Sequence, residues 1–207
     1  MKFAEGLRKI FWKGYYEIFD SKRTSYIDYL IKNGNLKVGT NCKIDSLKII
    51  SYKAKPANIN IEIGNDCNLN CTIVLYNENA HINIGNRVFV GPDTQLIALE
   101  EIAIEDDVMI SWGCTLMDND SHSVISTERE NDVIDFNKGL EFKNWDVVLR
   151  KKIRVERKSW IGFNCIILKG VEILEGSVVA SGSVVTKTFR SFSIIGGNPA
   201  RFIRETK

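Results

Sequence analysis

The chain has 207 residues, 44% of them hydrophobic and 26% charged, with a formal net charge of +2. That balance describes one soluble domain with at most a small appendage and gives no global positive field for nucleic acid. No apolar run approaches the roughly 20 residues of a membrane span, and the N-terminus lacks the apolar core and small-residue cleavage site of a secretory signal, so a cytoplasmic protein is expected.

Residues 1–33 read as helix. Phe3, Leu7, Ile10, Phe11, Tyr15, Ile18 and Phe19 fall on one stripe, with Lys2, Arg8, Lys9 and Lys13 elsewhere. This segment is expected to cap the element that follows and cover its open strand edges. A second reading lays residues 1–19 against the inner face of a membrane as a peripheral contact.

From residue 34 to 190 the dominant signal is a period of six. An aliphatic residue recurs at Val38, Ile44 and Ile50, at Ile63, Leu69 and Leu75, at Ile84, Val90 and Leu96, and at Ile104, Ile110 and Leu116. After a gap it runs unbroken through Val155, Ile161, Ile167, Ile173, Val179 and Val185. Gly often follows the aliphatic residue (Gly39, Gly64, Gly85, Gly91, Gly162), where it would supply the backbone of a bend. The fifth position is small, and it holds Cys42, Cys67, Cys114 and Cys165. These cysteines therefore read as core fillers rather than disulfides or metal ligands. Six matches neither the helical nor the simple strand period. It fits a short strand and a bend, three of which close a triangular coil whose neighbours must stack to bury anything.

The stretch "WIGFNCIILKGVEILEGSVVASGSVVTKTFRSFSIIGGNPARFIRE" with the sixfold register resembles the hexapeptide-repeat acyltransferases, and most nearly the bacterial polysaccharide and lipopolysaccharide O-acetyltransferases. The resemblance spans roughly Val38 to Arg204. It implies an all-β fold: a left-handed parallel β-helix of about six coils, with the N-terminal helical cap and a long loop, 118–150, inserted near His122, and residues 191–207 as a C-terminal tail. It also implies acetyl-CoA as acyl donor, a carbohydrate acceptor and a homotrimer.

The repeat stops at "MDNDSHSV" and resumes only at Val155. An insertion this long in a compact domain is often functional. The family places the catalytic histidine near the start of such a loop, which makes His122 the expected general base; an imidazole titrating near about 6.5 suits that task. Asp120 and Asp118 are the candidates to orient it, Asp120 because it falls on a normally small, inward repeat position. The other histidine, His81, reads as a structural corner residue.

For the donor, the resemblance carries over to Trp160 and Phe163, with the Phe163 backbone N–H as oxyanion donor, to Ser181, to the pair Thr186 and Lys187, and to Arg204. Five cations and one acid lie between Lys187 and Lys207, which suits phosphates. A second cluster, "RKKIRVERK" at 150–158, reads as a solvated loop end. Asp93, one coil earlier, is the candidate acceptor contact, although the spacing of eight between Leu96 and Ile104 marks an irregularity nearby. No metal site is expected: zinc anhydrases of the same fold use three histidines, and this chain has two. The leading expectation is O-acetylation of a sugar; the alternative is N-acetylation of an amino-sugar nucleotide.

Overall fold

The computed structural model describes residues 26–52, 59–139 and 142–206. The amphipathic stripe at residues 1–19 lies outside them. What is described of the N-terminal segment, residues 26–32, is helical, and it seats Ile27 and Leu30 on the open end of the first coil.

The repeat folds as a parallel β-helix with three faces. The first face stacks Leu36–Val38, Asn60–Ile63, His81–Ile84, Glu101–Ile104, Ile153–Val155 and Glu172–Ile173 in parallel register. The second stacks Phe89, Met109, Trp160 and Val178 position on position. The third stacks Thr115–Met117 between the strand Phe89–Ala98 and the strand Ile166–Leu168, followed by Val184–Val185. Six coils are complete. Ser193–Gly197 then begins a seventh beneath Val178–Val179, and Ala200–Glu205 folds back on it antiparallel. The solenoid thus runs on into the segment expected as a tail.

Every sixth residue points inward because each strand is only long enough to bury one or two side chains between bends. Ile110, Ile161 and Val179 stack on one face and Leu96, Leu116, Ile167 and Val185 on another, all fully buried. Each such side chain contributes about 1.5–3 kcal/mol. The cysteines fill corners as expected: all five are free thiols, and Cys67, Cys114 and Cys165 donate to carbonyls of the adjacent coil at 3.1–3.2 Å. Burial pushes the Cys71 thiol up to about 12.

The corner glycines have a different reason from the one expected. The left-handed backbone of the bend falls two residues later, on Asn41, Asp66, Arg87, Asp107 and Lys158, with φ between 55° and 61°. Gly39, Gly64 and Gly85 are required by close approach instead. A Cβ on Gly64 would lie 2.6 Å from the Gly85 carbonyl oxygen in the next coil. The same corner carries a polar ladder. Asn65 accepts from Thr40 N–H at 2.8 Å, Asn86 from Asn65 N–H at 2.9 Å and Asp106 from Asn86 N–H at 2.8 Å. Each side chain satisfies a backbone donor that the bend turns away from the strand ladder.

Gly64→Ala is therefore expected to cost about 1–3 kcal/mol, since the obstacle is backbone that cannot rotate away. Urea unfolding measures it; an unchanged midpoint would show that the coils can spread at this corner.

Candidate active site

The insertion leaves the solenoid at the corner between the third and first faces, after Thr115–Met117, and the chain re-enters the stack at Ile153–Val155. Its two legs close on each other. Asp120 N–H donates to Leu149 O at 3.0 Å, Lys151 N–H donates to Asp118 O at 2.8 Å, and Asn119 bridges Arg150. A tight turn follows: Asn119 Oδ1 accepts from Ser121 N–H at 2.9 Å, and Ser121 takes φ 59°. This turn aims His122 away from the strand and toward two short helices, Ser126–Arg129 and Asp132–Lys138.

The carboxylate on His122 is that of Asp132. Its Oδ2 meets His122 Nδ1 in a short contact and takes a hydrogen bond from Lys143 Nζ at 2.6 Å. A carboxylate facing Nδ1 requires the proton on that nitrogen, which leaves the Nε2 lone pair free. Lys143 Nζ also lies 3.1 Å from Nδ1. With the proton on Nδ1 that contact is one of charge proximity rather than a hydrogen bond. The lysine side chain is 0% exposed, Asp132's is 9% and the imidazole's 40%. Phe136 packs edge-on to the imidazole at 5.6 Å, and Lys143 lies 4.8 Å and 5.1 Å from the Phe136 and Trp145 ring centroids. Burial pushes the Asp132 carboxyl up, but the hydrogen bonds from Lys143 and His122 outweigh it and hold the group below its ordinary value.

Neither expected aspartate fills that place. Asp118 is fully buried, and its carboxylate accepts from Leu99 and Glu100 N–H, both at 2.8 Å. Those residues are the two-residue irregularity between Leu96 and Ile104, so Asp118 supplies acceptors that the disrupted ladder lacks. Burial, exceeding its hydrogen bonds, raises its carboxyl above the usual value. Asp120 instead pairs with Lys169 at 2.6 Å and offers only its backbone carbonyl to His122 N–H, at 2.6 Å.

Of the expected donor residues, Phe163 and Ser181 come together elsewhere. Pro92, Trp112, Phe163 and Ser181 occupy one corner in successive coils, between the second and third faces. Trp112 and Phe163 stack at 4.9 Å with planes 1° apart, both exposed, and Trp160 Nε1 donates to Ser111 Oγ at 3.4 Å. Phe163 N–H donates to no acceptor among the described residues. Asp93 sits exposed at the same corner, φ 59°, in the coil before that of Trp112. Thr186 and Lys187 are exposed on the last complete coil, with Lys187 5.4 Å from the Phe189 ring, and Arg204 lies on the returning strand. Neither Lys187 nor Arg204 pairs with a carboxylate among the described residues, whereas Arg190 pairs with Glu205 at 2.9 Å.

The basic cluster at 150–158 is not simply solvated. Lys152 pairs with Glu101 at 2.5 Å, Arg157 with Glu175 at 3.1 Å, and Arg154 with Glu105. A broad groove of about 1060 Å³ crosses this first face, but its charged lining is largely paired off and it contains none of the candidate residues. No three metal-ligating side chains converge among the described residues, and no described helix is long and apolar enough to cross a membrane.

No protein-family profile matches the chain. A protein of Schizosaccharomyces pombe named as an acetyltransferase is 33% identical over 138 residues, which is 67% of this chain but 48% of that protein. Among solved structures, the N-acyltransferase AntD of Bacillus cereus, crystallised with dTDP and coenzyme A, superposes with a TM-score of 0.64 at 24% identity, covering 86% of this chain and 88% of that one. The polySia-specific acetyltransferase NeuO superposes with a TM-score of 0.57 at 22% identity, over 82% of this chain and 66% of that one. The fold this chain shares with these structures is a left-handed parallel β-helix. The chain spans about half the length of the named relative it matches over most of its own length.

Because the Asp132 carboxyl is held below its ordinary value near about 4, it stabilises the insertion at pH above that value. That contribution is lost as pH falls through the lowered folded value. Asp132→Asn should reproduce the loss at neutral pH, leaving Lys143 buried without its counter-charge at a cost of about 3–5 kcal/mol. Native-state hydrogen exchange should show lost protection over 126–138 and 142–146 while the coils keep theirs; undiminished protection there would contradict the ion pair's role.

Proposed function

We propose that the chain transfers the acetyl group of acetyl-CoA to a hydroxyl of a sugar used in surface polysaccharide or lipopolysaccharide synthesis, with His122 as general base. The observation that carries this reading is the imidazole held through Nδ1 by Asp132, with Nε2 free at the rim of the insertion. Nε2 takes the proton of the acceptor hydroxyl as its oxygen bonds to the thioester carbonyl carbon. The carbonyl oxygen becomes an oxyanion, for which the unpaired Phe163 N–H is the donor in this reading. Collapse breaks the C–S bond, and the imidazolium returns its proton to the leaving thiolate. Asp132 stays ionised throughout and stabilises the imidazolium. Trp160, Phe163, Ser181 and Thr186 line the path of the donor, Lys187 and Arg204 take its phosphates, and Asp93 contacts the acceptor.

AntD supports a second reading, because that neighbour is an N-acyltransferase crystallised with a thymidine nucleotide. The acceptor would then be an amine on a nucleotide-linked sugar, and the same base would remove the ammonium-derived proton.

His122→Ala should lower kcat by about 10² to 10⁴ while coenzyme A still binds. Full activity in this variant would remove His122 from the chemistry.

Within one chain, the strand Thr115–Met117 separates the Trp112–Phe163 corner from the insertion that carries His122. In the reading proposed here a homotrimer closes the site, with His122 of one subunit facing the donor corner of the next. Co-refolding His122→Ala chains with chains carrying Lys187→Ala and Arg204→Ala should then restore about a quarter of wild-type activity: random equal mixing leaves about three-quarters of trimers mixed, each with one intact site in three. Mixed trimers without recovery would place each site inside one subunit.

A further inference from the structure

Lys143 is a fully buried cation in a chain whose other described lysines and arginines reach solvent. Burying an ammonium is costly unless its partners are fixed. Its partners here are Asp132 Oδ2 at 2.6 Å and, by proximity, His122 Nδ1 at 3.1 Å, beneath the rings of Phe136 and Trp145. The lysine therefore touches the carboxylate that orients the base and also sits against the base's protonated nitrogen.

We propose that Lys143 is a positioning residue that acts through Asp132 to keep the His122 imidazole in its neutral, proton-accepting form at neutral pH. This rests on the reading of His122 as general base. An aspartate alone beside an imidazole stabilises the imidazolium by direct charge attraction, and a base held protonated cannot accept the acceptor's proton. Lys143 divides the carboxylate's charge between two donors and places a like charge next to Nδ1. Asp132 can then fix the tautomer without trapping the second proton. The other charges flanking His122 pair away from the ring. Asp120 is held by Lys169, Glu128 bonds Ser123 Oγ, and Arg129 bonds the Ser123 carbonyl. Asp132 and Lys143 are thus the pair that sets the field at the imidazole.

The test replaces Lys143 with Met, which keeps the volume of the stem and removes the charge. The imidazole is followed directly by NMR titration of its ring signals. The chain holds only two histidines, so His81→Ala assigns them. The His122 ring midpoint in K143M should rise by about one pH unit or more above that of the wild type, the size of effect a single charge within a few ångströms produces. The acid limb of the kcat/KM profile should move up by the same amount, with activity recovering toward the wild-type plateau at high pH. A merely structural lysine would lower activity equally at all pH values. An unmoved or lowered ring midpoint in folded K143M overturns the proposal. Should K143M fail to fold, Lys143→Gln, which retains a donor to Asp132 without the charge, carries the same comparison. A raised midpoint with no acetyl transfer by the wild type to any acceptor would uphold the role of Lys143 and overturn the acetyltransferase reading instead.

Discussion

Everything in this molecule depends on one coil lying on the next. A single coil buries a handful of aliphatic side chains and leaves a full row of backbone donors and acceptors unpaired on each edge. Stacking pairs those groups and completes the core, so the stable unit is the pile and not the turn. Three features serve that contact: the inward aliphatic column, the glycine column that admits the neighbouring backbone at 2.6 Å from where a Cβ would lie, and the Asn–Asp ladder that satisfies the donors at the bend. None can vary freely without prising two coils apart.

The same constraint decides where chemistry can go. A face offers only outward side chains in fixed rows: on the first face these are largely paired charges, and on the second they include the exposed Phe89, Met109 and Trp160. A corner, by contrast, can be lengthened without disturbing the strands above and below it. The corner after the third face takes the five residues 76–80 in one coil, only Leu99–Glu100 in the next, and the whole insertion in the one after that. Asp118 anchors the irregularity beneath, the paired legs 118–120 and 149–151 close the base, and only beyond this seal does the polar group of His122, Asp132 and Lys143 assemble. The repeat stops after Leu116 because the chain there turns out of the stack into the insertion that carries this group.

How much of this was legible in the sequence follows from periodicity. The coils were readable because stacking forces the same residue type onto every sixth position, which made the core, the cysteine positions and the place of the break visible without coordinates. The reason for the corner glycines was not, since close approach between coils and a left-handed φ leave the same residue in the string. Asp132 and Lys143 lie ten and twenty-one residues beyond the histidine they serve, in a stretch with no period. Nothing local distinguishes them from the other charges of that loop, and proximity to His122 in sequence favoured Asp118 and Asp120, whose carboxylates are occupied by Leu99, Glu100 and Lys169. The basic cluster at 150–158 misleads for a similar reason: the carboxylates that pair with Lys152, Arg154 and Arg157 sit on neighbouring coils, 18 to 51 residues away in the chain.

The claim that ties fold to function is that a base on the insertion moves an acetyl group from a thioester to a sugar. The most direct measurement is thiol release from acetyl-CoA against a panel of free sugars, nucleotide sugars and lipid-linked glycans, with each product identified by mass and by its stability to mild base. Acceptor-dependent release of one thiol per acetylated sugar is expected, the product being a base-labile ester for O-transfer and a base-stable amide for N-transfer. Binding of coenzyme A with no acceptor raising thiol release above spontaneous hydrolysis would contradict it.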